Sequence, residues 1–276
     1  MPIEMQRQQD QDRSVAGRFE MRRRLPNPGL EGIVTDICGY HEMAPGHFRT
    51  IEYASLTVPL VISFAEPFAI GLGKVPGDND RFASFAAGLF AGPVIIESFG
   101  GACCVQVNFT PLGARRFFRR PMSELTDSMV VLDDVLGAEG MALRERLGNA
   151  PDWTARFDIA ETFVAARLGN AAETPLEIAW AYDRIIASGG RTRISSVAER
   201  LGWSRKHLAS SFSSAIGIGP KTLSRIVRFN RALGLSRQQT VDWADIAANC
   251  GYADQAHLVR EFRDLAGETP TALSAR

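Results

Sequence analysis

From Gly32 to about Phe109, apolar and β-branched runs follow one another at short intervals. GIVTDICGY, TIEYASLTVPLVISF, GPVIIESF and CCVQVNF are broken by Pro and Gly, a punctuation that predicts compact antiparallel β structure. After Pro111 the spacing becomes helical. GARRFFRR, then SELTD with its polar start, then Met141 to Leu147 precede a longer segment that Asp152 opens as an N-cap. In that segment Trp153, Phe157, Ala160, Val164 and Leu168 recur at helical steps, so one face is apolar and must pack, either on the β half or on its copy in a homodimer. Pro175 starts a further helix from Leu176 to about Ser188, and the pair Gly189 and Gly190 ends it. Residues 1–20 hold few apolar positions and read as a disordered tail.

The last part of the chain repeats itself. ISSVAERLGWSRKHLASSFSSAIGIGP begins at Ile194 and WADIAANCGYADQAHLVREFRDLAGETP at Trp243. Val197, Ala198, Gly202 and Trp203 correspond to Ile246, Ala247, Gly251 and Tyr252. His207, Leu208, Phe212, Gly217 and Pro220 correspond to His257, Leu258, Phe262, Gly267 and Pro270 after one extra residue in the second turn. Each copy reads as a helix, a tight turn at a glycine, and a second helix capped by Ser204 or Asp254. Leu208 and Phe212, like Leu258 and Phe262, stand one turn apart and face inward. The opposite face then carries Lys206, Ser210 and Ser213 in one copy and Ala256, Arg260 and Arg263 in the other. Two helix-turn-helix units are expected, about 194–217 and 243–267. Between them KTLSRIVRFNRALGLSR predicts a connecting helix over about 221–235. Leu223, Ile226, Val227, Asn230 and Leu233 form one stripe of it, and Lys221, Arg225, Arg228 and Arg231 a basic one expected to face phosphates.

Charge sharpens this picture. The 276 residues balance 31 Lys and Arg against 31 Asp and Glu, yet residues 191–276 hold 13 against 7. The basic C-terminal part is the one expected to meet a polyanion. No run is long and apolar enough for a membrane span and the start lacks the apolar core of a secretory signal, so a cytoplasmic protein without membrane contact is expected. Cys38, Cys103, Cys104 and Cys250 make no zinc-type spacing and read as buried thiols, with no metal and no cofactor expected.

On GWSRKHLASSF, the Gly217 to Pro220 step, RIVRFNRAL and IAANCGYADQAHLVREFRDLAGETP, the chain from near Leu176 onward resembles the DNA-binding domain of the AraC/XylS family of bacterial transcription regulators. The resemblance implies seven helices over 176–276, two helix-turn-helix units joined by a linker helix, and binding to asymmetric promoter DNA. Carried over by position, it implies base reading by Lys206, Ala209 and Ser210 in the first unit and Gln255, Ala256 and Arg260 in the second. Ala209 and Ala256 offer only methyl contacts there, so the first unit is expected to add more affinity than specificity or to rely on Arg205 and Lys206. FTPLGARRFFRRPMSELTDSMVVLDDVLG resembles the segment that follows a small β-barrel sensor in some of these regulators. It implies an α+β chain with a β-rich, cupin-like sensor or dimerisation domain over 21–170, a small-molecule effector, and RNA polymerase as partner if the protein activates.

Two readings from other classes remain. A metal-dependent cupin-type enzyme would use His41, His47 and Glu52, but the metal-binding His arrays of catalytic cupins are missing. A DNA-repair regulator that methylates its own cysteine would need four metal-binding cysteines near the start, and only Cys38 lies there.

Overall fold

A computed structural model describes residues 18–169, 171–237 and 242–274. Ten strands lead: β1 (Phe19–Arg24), β2 (Val34–Glu42), β3 (Phe48–Glu52), β4 (Val58–Ser63), β5 (Phe68–Leu72), β6 (Arg81–Phe82), β7 (Phe85–Ala87), β8 (Val94–Ser98), β9 (Cys103–Phe109) and β10 (Met129–Val131). They form two antiparallel sheets, in the orders β1-β2-β9-β4-β7-β10 and β3-β8-β5-β6. Most of the expected tail lies outside the described residues, but its last residues differ from expectation. Phe19 and Glu20 pair with Glu42 and His41, because β2 offers a free edge that alternating FEMRRR can complete.

Alternation along β9 explains how one strand serves two purposes. Val105, Val107 and Phe109 enter the main core beneath the helices, while Cys104, Gln106 and Asn108 line a cavity between the sheets. Phe109 meets Phe117 at 4.6 Å between ring centroids and Phe118 at 5.8 Å. That contact ties the first sheet to α1 (Pro111–Phe118), whose N-cap Thr110 accepts from the Gly113 amide. Then come α2 (Leu132–Asn149), kinked at Gly137, and α3 (Trp153–Leu168), which the Asp152 side chain caps as expected. The apolar face of α3 covers the β half. Trp153 lies so close to Gly39 of β2 that an added Cβ would stand 2.4 Å from its ring. Within the stretch read as purely helical, Met129–Val131 instead returns to the sheet as β10, pairing with β7.

The C-terminal half is helical: α4 (Leu176–Ala187), α5 (Ile194–Leu201), α6 (Arg205–Ile216), α7 (Pro220–Ser236), α8 (Trp243–Cys250), α9 (Gln255–Ala266) and α10 (Pro270–Ser274). These are the seven helices expected after residue 176. The two halves share one hydrophobic core. The Ala54 amide donates to the Leu265 carbonyl at 3.0 Å, and the Thr126 hydroxyl to the Gly217 carbonyl at 2.5 Å. The β half thus holds the C-terminal ends of both α6 and α9. No helix among the described residues is long and apolar enough to cross a membrane.

Candidate nucleic-acid interface

The two repeated units fold alike in detail. Gly202 (φ 70°) and Gly251 (φ 79°) adopt the left-handed backbone that glycine alone accepts without strain. Behind each, the next amide turns back to the same point of the preceding helix: Trp203 to Ala198 and Tyr252 to Ala247, both at 2.9 Å. Ser204 caps α6 by accepting from the His207 amide at 3.1 Å, and Asp254 caps α9 by accepting from the His257 amide at 2.7 Å. The turn aromatic then packs edge-on against the capped histidine, Trp203 on His207 at 4.4 Å and Tyr252 on His257 at 5.3 Å. Leu208, Phe212, Leu258 and Phe262 are all fully buried.

With those side chains inside, the outward faces of α6 and α9 are set by the helical turn. Arg205, Lys206, Ala209 and Ser210 are exposed on α6, and Gln255, Ala256, Arg260 and Arg263 on α9. Ser213 is only half-buried and sits at the margin of this face. Among the described residues, no hydrogen bond or ion pair occupies the side chains of Arg205, Lys206, Arg260 or Arg263. An exposed helix face of uncommitted cations suits a major groove, where Arg or Lys donates to guanine edges.

The connecting helix departs from expectation. Lys221 is exposed and uncommitted, but Arg225 and Arg228 are not a free phosphate-facing stripe. Arg225 donates to Glu261 at 2.9 Å and to Asp264 at 2.8 Å; Arg228 reaches Glu261 at 3.3 Å and the Gly190 carbonyl at 3.2 Å, and lies over the Tyr252 ring. The cause is Glu261 on α9, only 4% exposed. A buried carboxylate demands charge partners, and the basic stripe of α7 is the nearest source. These arginines therefore fasten the second unit to the linker helix. The sequence carried a faint signal, an acid directly before the inward-facing Phe262.

A second feature lies in the β half. The cavity between the sheets measures about 790 Å³, a size suited to a small molecule. Its lining includes the aromatic rings of Phe19, Tyr40, Phe68 and Phe85 and the polar side chains of Arg23, Asp36, Gln106 and Asn108. There Gln106 donates to Asn108 at 2.8 Å, Asn108 donates to Asp36 at 2.7 Å, and the Arg23 guanidinium stands 3.8 Å from Asp36. Burial and the neighbouring Asp36 push the Cys38 thiol up to about 12, so it stays protonated. Asn230 and Leu233 of α7 complete the wall. Sequence reasoning placed both on the linker stripe without seeing that they close a cavity some distance away in the chain.

The residues of the metalloenzyme reading are not brought together. His41 is exposed and alternates away from the cavity-lining Cys38 and Tyr40; His47 stands 3.4 Å from Glu97 and stacks on Phe99; Glu52 lines the cavity. Among the described residues no group of three or more His, Cys, Asp or Glu is placed to hold a metal ion.

Comparison with known proteins places the last segment. A family model described as a helix-turn-helix domain matches residues 197–276. A Bacillus subtilis protein named "Uncharacterized HTH-type transcriptional regulator YbfI" is 35% identical over 65 residues, which are 24% of this chain and 23% of that protein. A Mycobacterium tuberculosis protein named "Probable bifunctional transcriptional activator/DNA repair enzyme AlkA" is 33% identical over 99 residues, 34% of this chain and 19% of that protein. The chain thus spans less than a quarter of the length of these curated relatives. Among solved structures, the C-terminal domain of the response regulator AraT from Geobacillus stearothermophilus is 22% identical, with 38% of this chain and 88% of that chain covered and a TM-score of 0.36. ToxT from Vibrio cholerae is 11% identical, with 83% and 98% covered and a TM-score of 0.42. Residues 197–276 of this chain thus match a helix-turn-helix domain.

Proposed function

We propose that the protein is a sequence-specific DNA-binding transcription regulator, divided into a β-rich sensor domain over 21–170 and a DNA-binding domain over 176–276. The observation that carries this reading is the pair of identically built units whose outward faces bear uncommitted cations. Base contacts are assigned to Arg205, Lys206, Ala209, Ser210 and Ser213 on the first unit and to Gln255, Ala256, Arg260 and Arg263 on the second, with Lys221 on phosphate. Arg225 and Arg228 are left out, since Glu261 engages them.

Control is assigned to a small molecule in the barrel cavity. Asn230 and Leu233 belong both to that cavity and to the helix between the two units, so an occupant that prefers one position of α7 shifts the population of DNA-competent molecules. The protein works in the cytoplasm, without catalysis, with RNA polymerase as a further partner if it activates and a second copy of the chain if it dimerises.

The test is selection of bound sequences from a random DNA pool by the full chain, followed by salt titration on the winner. Enrichment of one asymmetric site, with affinity falling steeply as salt rises through counterion release, is the expected result. Recovery of unenriched sequence would reduce the protein to a general polyanion binder, and no complex at low salt would remove the reading.

A further inference from the structure

The charges around the barrel cavity do not balance. Two arginines and a histidine line it, and each has an acid of the protein itself: Arg23 stands 3.8 Å from Asp36, Arg49 donates to Glu97 at 2.6 Å, and His47 lies 3.4 Å from the same Glu97. Glu52 is different. It is the last residue of β3, on the cavity face with Phe48 and Thr50, and among the described residues its carboxyl has no hydrogen bond and no ion pair.

Glu52 is exposed where it borders the cavity, and the protein packed around it still raises its pKa above the usual carboxylate range. No neighbouring charge contributes to that shift. The chain supplies partners to a carboxylate that it does bury. Glu42, at the far end of β2, accepts from Tyr40 at 2.9 Å, from the Ser98 hydroxyl, and from the Gly100 and Ala102 amides at 2.7 and 3.0 Å. Glu52 alone among the cavity's charged groups is left for an occupant to satisfy.

The rest of the cavity describes that occupant's body. The rings of Phe19, Tyr40, Phe68 and Phe85 form part of its wall, and aromatic faces favour apolar groups and cations while offering nothing to an anion. An anionic ligand would also meet Glu52 and Asp36 with no free cation in return among the described residues. Building on the reading that the barrel holds a small-molecule effector, we propose that this effector is an organic cation, a protonated amine on an apolar body, with Glu52 as the counter-ion of its head group. Its body lies against the aromatic rings and its head meets Glu52, inside the cavity that Asn230 and Leu233 of α7 help to close.

Three probes with one body and different heads test this on the full-length protein near neutral pH: phenylbutylamine, phenylbutanol and phenylbutyrate, followed by titration calorimetry. The amine is expected to bind about tenfold or more tightly than the alcohol, as a desolvated charge contact of ordinary strength would give, and phenylbutyrate most weakly. Glu52→Gln, which keeps the shape and removes the charge, is expected to erase the preference for amine over alcohol, with an unchanged near-ultraviolet spectrum showing that the fold persists. Equal binding of amine and alcohol, tightest binding of phenylbutyrate, or an amine preference that survives Glu52→Gln would each overturn the cation while leaving a small-molecule sensor standing. Absence of binding by all three heads would overturn the cation and the sensor together.

Discussion

The two helix-turn-helix units share one scaffold and differ in what they fasten and what they present. In both, a left-handed glycine, a capped second helix and a buried Leu and Phe pair build the same turn. The first unit turns Arg205, Lys206, Ala209 and Ser210 outward. The second presents Gln255, Arg260 and Arg263 and is also bound to the linker helix through Glu261. Scaffold and outward face are thus independent, because helix periodicity assigns them to opposite sides. The second unit is the one whose position is held by a buried charge cluster.

The scaffold is where the units should fail alike. Phe212→Ala and Phe262→Ala each empty a fully buried site, and each is expected to lower stability by about 3–5 kcal/mol; chemical denaturation of both variants checks this. A large asymmetry would show that one unit contributes little to the cooperative core.

Glu261→Ala should separate the units next. It leaves Arg225 and Arg228 without their shared acid, and because both arginines are partly solvated the cost is expected at about 2 kcal/mol, below that of breaking a fully buried pair. Hydrogen exchange should rise in α9 and leave α6 protected, whereas uniform loosening would place the cluster's role elsewhere.

Arg260→Ala tests the faces themselves. Its exposed side chain joins no core, so folding should hardly change while binding to the preferred site weakens by about 1–3 kcal/mol with relaxed discrimination at one base pair. Ser210→Ala should lose less than about 1 kcal/mol, comparable to one neutral hydrogen bond. Binding to a panel of single-base variants distinguishes them; equal losses would erase the division of labour, and an equal loss on every sequence would place Arg260 on phosphate.

The smallest effect concerns the pH response of the β half. Glu52 has a raised pKa in the folded chain, so the folded state binds its proton more tightly, and stability falls as pH rises from the unfolded carboxylate pKa through the folded one. Glu52→Gln is expected to raise the melting temperature slightly at neutral pH and to leave it unchanged in acid, where the carboxyl is protonated in both states. A gain that is the same at both pH values would trace it to packing.

Local signals carried much of this molecule. Gly202, Gly251, Ser204 and Asp254 specify turns and caps through their own backbone and side chains, so both units and the face opposite Leu208 and Leu258 were legible in one dimension. Asp152 and the stripe from Trp153 to Leu168 announced α3 in the same way. Met129–Val131 was missed because three residues carry too little pattern to outweigh the helices around them, and only the open edge of β7 makes them a strand.

What the sequence determined by itself was therefore periodicity and punctuation: a β half, two helix-turn-helix units, a linker helix, and which residues of α6 and α9 look outward. What only the tertiary structure decided was where charges end. Whether Arg225 meets phosphate or Glu261, whether Glu52 has a partner, and whether Asn230 faces solvent or a cavity are set by residues tens to hundreds of positions away. Electrostatic pairing depends on distance and burial in space, and neither is written in the local pattern of a chain.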